Sequence, residues 1–252
     1  MIYYENSFGY LVNPGTVVDT KWVRAAQQFV DLSLQLCPSI TSAYLRGSAC
    51  TGEAIDLIAD LDLIFVTEGN AAEEDIAGIR AAKQNLLGEH RYITRVDTRM
   101  ISRHDLLLPG KHHHAKFLIK VTARPLHGED LTPLLPCYSA SLETARLLYG
   151  RLHERIEKSM AATWGGPFPS GSDAVMARHC IRAMYTLGMD GTKEFTRDLR
   201  LCLARAQALF PKLHREMETL RKCALMYQCD KRDYHLALSA ASVLFCEEFS
   251  TT

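Results

Sequence analysis

Two short stretches, YLRGS at residues 44–48 and DLDLI at residues 60–64, decide how this sequence is interpreted. Alternate residues of a β-strand point to the same face, so Asp60 and Asp62 project together if DLDLI is a strand. Two carboxylates that close repel each other unless a cation neutralises them. Oxygen ligands of this kind suit Mg²⁺, which takes one or two carboxylates and adds substrate phosphates. The second stretch therefore predicts a metal site.

The first stretch predicts a phosphate site beside that metal. Residues 40–45 suit a strand, and this strand runs into Gly47 and Ser48. A glycine lets the backbone approach a phosphate closely, with exposed N–H groups, and the serine adds one hydroxyl. Together the two stretches indicate a site for a nucleoside triphosphate and its metal.

This combination resembles the signature of the polymerase-β-type nucleotidyltransferase superfamily. That signature is a hydrophobic strand ending in Gly-Ser, a spacer of about ten residues and an Asp-h-Asp on the next strand. Gly52 in the spacer matches the Gly-Ser-x-x-x-Gly of small bacterial members, whereas Ala59 stands where many relatives carry a serine. The order of an α/β half and a helical half is similar, more loosely, to bacterial kanamycin and streptomycin nucleotidyltransferases.

The resemblance implies a catalytic site built on three carboxylates. Asp60 and Asp62 would hold two Mg²⁺ ions, and Asp97, where the family has its third carboxylate, would act as a ligand or as the base toward the attacking hydroxyl. The implied reaction is attack by an acceptor hydroxyl on the α-phosphorus of a nucleoside triphosphate, with release of pyrophosphate. We expect an enzyme that transfers a nucleoside monophosphate to the acceptor hydroxyl, with AMP from ATP as the leading expectation.

The resemblance also implies a nucleotide-binding set of Gly47, Ser48 and Arg46. Arg46 has two interpretations, as a contact to the triphosphate or as an ion-pair partner of a nearby carboxylate. The acceptor stays open between a small molecule such as an aminoglycoside and a macromolecule, either tRNA or a protein. The alternative from another class is a degenerate nucleotidyltransferase fold that acts as a binding or antitoxin module without turnover.

Hydrophobic periodicity predicts a two-domain fold, a nucleotidyltransferase mixed β-sheet with flanking helices followed by a helical bundle. The boundary falls near the PLLP at residues 133–136, which gives a catalytic domain at 1–136 and a bundle at 137–252. In the first domain the patterns predict helices at 21–36 and 70–87, and strands at 40–45, 57–66, 92–101 and 117–123. After residue 139 they predict only helices, which run through 148–160, 176–187, 199–209, 213–224 and 236–243.

Composition narrows the function classes. The chain of 252 residues has 29 basic and 29 acidic residues, so nonspecific wrapping of duplex DNA is not expected. Acidic residues are in excess in the first half and basic residues in the second. The N-terminus lacks a secretory signal and no apolar run is long enough for a membrane span, so we expect a cytoplasmic protein, with its oligomeric state open.

Several other features carry weaker predictions. Eight cysteines without a Cys-x-x-Cys indicate reduced core thiols. The histidine triplet at 112–114 is expected in a solvated loop, with a role beside a phosphate or acceptor as the alternative. The FTRDL at 195–199 is interpreted as a Thr-capped helix start, with an Arg197 contact to substrate as the alternative. His179 and Arg182 are assigned structural or rim positions.

Overall fold

The computed structural model describes residues 1–15, 20–162, 168–226 and 229–250. Within them the chain forms two compact units. One contains residues 12–138, here called the sheet unit, and the other contains residues 1–11 and 139–252, here called the helical unit. The boundary expected after residue 136 lies close to this division, but the first eleven residues belong with the C-terminal part of the chain.

Seven strands are described in chain order. They are β1 (Ile2–Glu5), β2 (Leu11–Val12), β3 (Ile40–Arg46), β4 (Asp60–Thr67), β5 (Arg95–Ser102), β6 (Arg124–Gly128) and β7 (Glu194–Thr196).

Eleven α-helices are described in the same order. They are α1 (Thr20–Leu36), α2 (Ser48–Thr51), α3 (Glu73–Glu89), α4 (Arg103–Leu107), α5 (His113–Phe117), α6 (Leu142–Tyr149), α7 (Leu152–Ala162), α8 (Gly171–Leu187), α9 (Leu199–Leu209), α10 (His214–Ala224) and α11 (Lys231–Ser250).

The sheet unit is built on a four-stranded mixed sheet. Its strand order is β5-β4-β3-β6, in which β4 and β5 run parallel and the other pairs are antiparallel. Leu61, Leu63 and Phe65 of β4 pack into one apolar core, while Ile64 and Val66 pack into a second core on the other face. The sheet is thus covered on both faces except where the aspartates lie at the start of β4.

Helix α1 closes the first of these cores. Trp22 and Phe29 lie on its apolar stripe and are fully buried, as the three- and four-residue spacing predicts. Pro38 follows Cys37 just beyond the helix, where a proline is favoured because it cannot continue the helical hydrogen bonds. Helix α3 begins with three acidic residues at 73–75, which favour the positive end of the helix dipole.

The strand expected at residues 117–123 is wrong. Helix α5 runs instead into a π-helical turn, Leu118–Thr122, and the strand β6 begins only at Arg124. Apart from Lys120 the residues of this turn are buried. A short apolar run that is buried on all sides has no polar positions to reveal its period, so helix and strand look alike in the sequence.

The helical unit contains α6 to α11 and also a strand that the sequence pattern did not predict. β7 pairs antiparallel with β1, which joins Tyr3 to Phe195 in register. The helix expected through 148–160 is two helices, since α6 ends at Tyr149 and α7 starts at Leu152. Within the described ranges, no helix is both long enough and apolar enough to span a bilayer.

The start of α9 differs from the sequence-based expectation. Thr196 belongs to β7, and the cap is Asp198, whose carboxylate accepts hydrogen bonds from the backbone N–H groups of Arg200 and Leu201 at 2.8 and 3.1 Å. The cysteines are free thiols, and those at 37, 50, 180, 202 and 223 are buried. Burial of most of the cysteines agrees with their interpretation as core residues.

Candidate active site

The two stretches that decided the sequence interpretation meet at one edge of the sheet unit. Asp60 and Asp62 lie on one face at the start of β4, and Asp62 is in register with Asp97 on the parallel strand β5 and with Arg46 at the end of the antiparallel strand β3. Neighbouring strands are about 4.8 Å apart. Asp62 therefore has a second carboxylate on one side and a guanidinium on the other.

Arg46 is the counter-ion of this pair of carboxylates. Its Nη2 atom lies 3.1 Å from Oδ1 of Asp62 and 3.7 Å from Oδ2 of Asp97. The side chains of Arg46 and Asp62 are largely buried, and that of Asp97 is half-exposed. Arg46 therefore forms the ion pair that was one of its two sequence-based interpretations, and its contact to a triphosphate stays a prediction.

The carboxylate of Asp60 has a different set of partners. Nη2 of Arg95 donates to its Oδ2 at 2.7 Å, and the Thr94 hydroxyl lies 3.4 Å from Oδ1. In the described ranges of the chain, no group of three His, Cys, Asp or Glu side chains is arranged to hold a metal ion. The three carboxylates thus lie on one edge of the sheet but are held by separate arginines.

The chemistry of the donor set nevertheless fits a divalent cation. Asp62 and Asp97 already share one cationic partner, so both carboxylates face a common position for positive charge. Two carboxylates with added phosphate oxygens are a usual Mg²⁺ ligand set. A metal at this position would replace Arg46 as the partner of both side chains.

Gly47 and Ser48 lie directly beside Asp62. Gly47 has φ of 74° and ψ of −161°, a combination that only glycine adopts readily. A Cβ atom on Gly47 would lie 2.3 Å from Oδ2 of Asp62, so the position excludes a side chain on steric grounds as well. Ser48 is the first residue of α2, and its hydroxyl makes no hydrogen bond to any other described residue.

A further cation, Arg99, lies on the same face of β5 as Asp97. The alternation of Arg95, Asp97 and Arg99 along one strand face was visible in the sequence, but no motif marked Arg99 as functional. Its Nη2 atom lies 3.3 Å from Nδ1 of His112. Burial, and then the positive charge of Arg46, lower the pKa of Arg99.

The histidine triplet is only in part a loop. His113 and His114 open helix α5, whereas His112 precedes it in the left-handed conformation with φ of 53°. The expected solvated loop is therefore wrong for two of the three histidines. Burial, followed by the charge of Arg99, lowers the pKa of His112.

The helical unit has a basic cluster of its own around His179 and Arg182, the two residues that the sequence assigns to structural or rim positions. Arg182 donates through Nε to the backbone oxygen of Arg197 at 3.1 Å, and burial lowers its pKa to about 10. Burial also lowers the pKa of His179 to about 3, an effect to which four arginines, among them Arg182 and Arg197, add. Nη1 of Arg197 is buried without a hydrogen-bond partner in the described part of the chain. Such a cluster attracts anions.

Comparison with known proteins adds one result on the fold. No model of a protein family matches the sequence, and no curated protein matches it. A solved structure of spectinomycin adenyltransferase AAD(9) from Enterococcus faecialis, determined with ATP and spectinomycin, is similar with a TM-score of 0.58 and 12% sequence identity. The likeness covers 92% of this chain and 99% of that chain. The two proteins therefore share a fold, a mixed sheet with flanking helices and a helical C-terminal region.

Proposed function

We propose that this protein is a nucleotidyltransferase that moves a nucleoside monophosphate, AMP from ATP, onto a hydroxyl acceptor. The observation that carries the proposal is the register of Asp62 with Asp97 beside Gly47, with one cation shared by the two carboxylates. The fold is that of a protein crystallised with ATP, which supports ATP as the nucleotide.

Each residue has a defined role in the proposed reaction. The acceptor oxygen bonds to the α-phosphorus, the bond from that phosphorus to the β-phosphate bridging oxygen breaks, and pyrophosphate leaves. The Gly47 backbone and the Ser48 hydroxyl hold the β- and γ-phosphates. Asp97 accepts a hydrogen bond from the acceptor hydroxyl, or its proton, since a base needs only hydrogen-bond reach of that group.

The same carboxylates would hold Mg²⁺. Asp60, Asp62 and Asp97 are the residues that would hold the ions, and Asp60 would have to separate from Arg95 to do so. Bound Mg²⁺ would neutralise charge on the phosphates and lower the pKa of the acceptor hydroxyl. Arg46, displaced from Asp62, is close enough to the Gly-Ser turn to pair with a phosphate oxygen instead.

The helical unit gives a separate indication of an anionic ligand. Arg182 is largely buried and donates to a backbone oxygen, and Nη1 of Arg197 is buried without a hydrogen-bond partner in the described part of the chain. Burying a charge without a counter-ion is costly. An anion bound at this cluster would offset that cost.

One observation favours the alternative, a binding module without turnover. Every carboxylate of the triad has an arginine partner, Arg95 for Asp60 and Arg46 for Asp62 and Asp97. Two of the three negative charges are therefore offset without a metal. A chain that had lost its activity could keep them as ordinary ion pairs.

The experiment that separates these functions uses the double substitution D60N/D62N. The chain is incubated with ATP labelled at the α-phosphate, Mg²⁺ and panels of aminoglycosides, total tRNA and cell lysate. We expect label on one acceptor class with the wild type and none with the double variant, because two metal-binding carboxylates are removed.

A matched control is Asp56→Asn. Asp56 lies in the spacer before β4, and its exposed carboxylate pairs with Lys21. This variant is expected to transfer label like the wild type. Transfer by D60N/D62N would refute the site, and wild-type chain that binds ATP but labels no acceptor would favour the binding module.

A further inference from the structure

A small cleft lies in the sheet unit, at the C-terminal ends of the parallel strands β4 and β5. It has a volume of about 190 Å³, and its polar lining consists of Thr67, Asn70, Arg99, Ser102, Asp105 and His112. Pockets for whole drug-sized ligands are larger, about 300–1,000 Å³. The cleft therefore has room for a substituent of a ligand, and six of its nine lining residues are polar.

Arg99 gives this cleft an uncompensated positive charge. The guanidinium is half-buried, and its hydrogen bond goes to the uncharged acceptor atom Nδ1 of His112. Among the described residues no carboxylate forms an ion pair with it. A desolvated cation without a counter-ion is unfavourable, and an anion entering the cleft would offset that cost.

His112 is oriented to add a second donor. A guanidinium only donates, so the contact of Arg99 with Nδ1 makes that atom the acceptor and leaves the imidazole proton on Nε2. The backbone of His112 is fixed as well, because its oxygen accepts from the Lys116 N–H at 3.0 Å. The imidazole can thus donate to a ligand oxygen from a fixed position.

The remaining polar groups of the cleft are compatible with an anion. Asp105, the acidic residue of the lining, lies 3.6 Å from Nζ of Lys111 and is neutralised by it. Ser102 accepts from the Asp105 N–H through its hydroxyl oxygen at 3.0 Å, which leaves its hydroxyl proton available to donate. The lining thus offers three donors, from Arg99, His112 and Ser102.

The strand order separates Arg99 from the proposed phosphate site. Gly47 and Ser48, proposed to hold the triphosphate, follow β3, while Arg99 is on β5, on the opposite side of the central strand β4. Arg99 also lies two residues beyond Asp97, the proposed base. We propose that the cleft binds an oxyanion, a phosphate or carboxylate group of the acceptor, and that Arg99 and His112 are its specificity-determining residues.

The identification of the ligand as the acceptor rests on the proposed function, but oxyanion binding can be tested without turnover. Backbone amide NMR signals of the full chain are followed while inorganic phosphate, or acetate in a parallel series, is added. We expect saturable shifts at residues 99–105 and at His112. Stronger binding of phosphate would assign a phosphorylated acceptor, and stronger binding of acetate a carboxylated one.

Two variants and one control test whether the Arg99 side chain binds the anion. Arg99→Gln should weaken binding by about tenfold or more, the factor expected for loss of one charge-assisted hydrogen bond, and Arg99→Lys should retain part of it because the charge remains. Arg91→Gln removes an exposed arginine of the same unit and should bind like the wild type. Should Arg99→Gln fold poorly, His112→Asn, which suits the left-handed backbone, provides the same test.

The inference fails if neither anion gives saturable shifts at these residues, or if Arg99→Gln binds as the wild type does. Failure of the proposed function has a different signature. In that case phosphate or acetate still binds at residues 99–105, but ATP and Mg²⁺ give no transfer to any acceptor.

Discussion

At the scale of single residues, the candidate site is a set of charges that compensate one another. Arg46 forms ion pairs with Asp62 and Asp97, and Arg95 forms an ion pair with Asp60. The arginines offset the repulsion between the carboxylates. Loss of one arginine would leave a carboxylate without its partner, which is unfavourable in free energy. Exchange of an arginine for a metal and a phosphate is therefore the chemical event that would convert this arrangement into a catalytic one.

Gly47 provides a prediction at this scale. Gly47→Ala places a methyl group 2.3 Å from Oδ2 of Asp62 on a backbone that disfavours any side chain. We expect the free energy of unfolding to fall by about 1–3 kcal/mol from the backbone strain, and by more if Asp62 cannot move. Urea denaturation measures the loss, and ATP titration should reveal weaker binding.

Gly110→Ala is the matched control. Gly110 also has a positive φ, 77°, but no atom lies within 4 Å of the added Cβ. It should lose some stability and bind ATP like the wild type. Equal losses of stability and of ATP binding in the two variants would mean that the close approach of Asp62 is not the reason why residue 47 is a glycine.

Residues of the site differ in how visible they are in the sequence. Gly47, Asp60 and Asp62 stand in a motif with a defined spacing, so the sequence predicts them as a set. Arg99 stands in no motif, because its significance depends on which charges lie near it in three dimensions. His112 was predicted only as part of a triplet, since a sequence does not reveal which of three adjacent histidines takes the left-handed backbone.

At the scale of elements, the N-terminal strand is the feature that periodicity could not assign. Strand β1 pairs with β7, nearly two hundred residues away, and the Thr196 hydroxyl donates to the Met1 backbone oxygen at 2.7 Å. Both strands are too short for a clear alternation. Their pairing is fixed by tertiary contacts, which act on β-structure more strongly than intrinsic propensity does.

This pairing predicts different roles for two adjacent tyrosines. Tyr3 is 1% exposed and its ring lies 6.1 Å from that of Phe195, whereas Tyr4 points to the other face and is 55% exposed. We expect Tyr3→Ala to lower the free energy of unfolding of the helical unit by about 3 kcal/mol or more, as for other buried aromatic residues. Tyr4→Ala should change it by about 0.5 kcal/mol or less.

Hydrogen exchange measured on peptides of α8 and α9 gives the stability of the helical unit directly. Loss of protection in Tyr3→Ala alone would assign β1 to that unit in solution. Equal protection in both variants would contradict the assignment, because removal of a buried ring should leave a cavity that the packing cannot fill.

Elements with strong periodicity were predicted well, and buried or very short ones were not. α1, β3 and β4 agree with the sequence pattern to within a few residues. α1 has one apolar face and a clear period, whereas the Gly-Ser and Asp-x-Asp motifs mark where β3 ends and β4 begins. The run at 117–123 failed because nearly all of it is buried. The break between α6 and α7 was missed because the apolar spacing continues across Gly150 and Arg151.

At the scale of the whole molecule, ionisable groups are distributed unequally between the two units. The sheet unit has its carboxylates at a half-exposed edge, where arginines pair with them. The helical unit buries bases, Arg182 with a pKa of about 10 and His179 with a pKa of about 3. We therefore expect acid to act on the two units differently.

His179 sets the direction of that difference. Its pKa is about 3 in the folded chain against about 6.5 in the unfolded one, so the unfolded state binds the extra proton. Stability from the neutral imidazole is complete above pH 6.5 and is lost as the pH falls toward 3, by about 1.4 kcal/mol per pH unit. From pH 6.5 to pH 5, the free energy of unfolding of the helical unit should therefore fall by about 2 kcal/mol.

Hydrogen exchange at pH 6.5 and 5, corrected for intrinsic rates, measures this loss in α8 of the wild type and of His179→Gln. The glutamine variant should lose much less on acidification, since it has no proton to bind, and His214→Gln, at an exposed position of the same unit, should behave like the wild type. An equal loss in wild type and His179→Gln would mean that carboxylates, rather than this buried imidazole, determine the acid sensitivity of the helical unit.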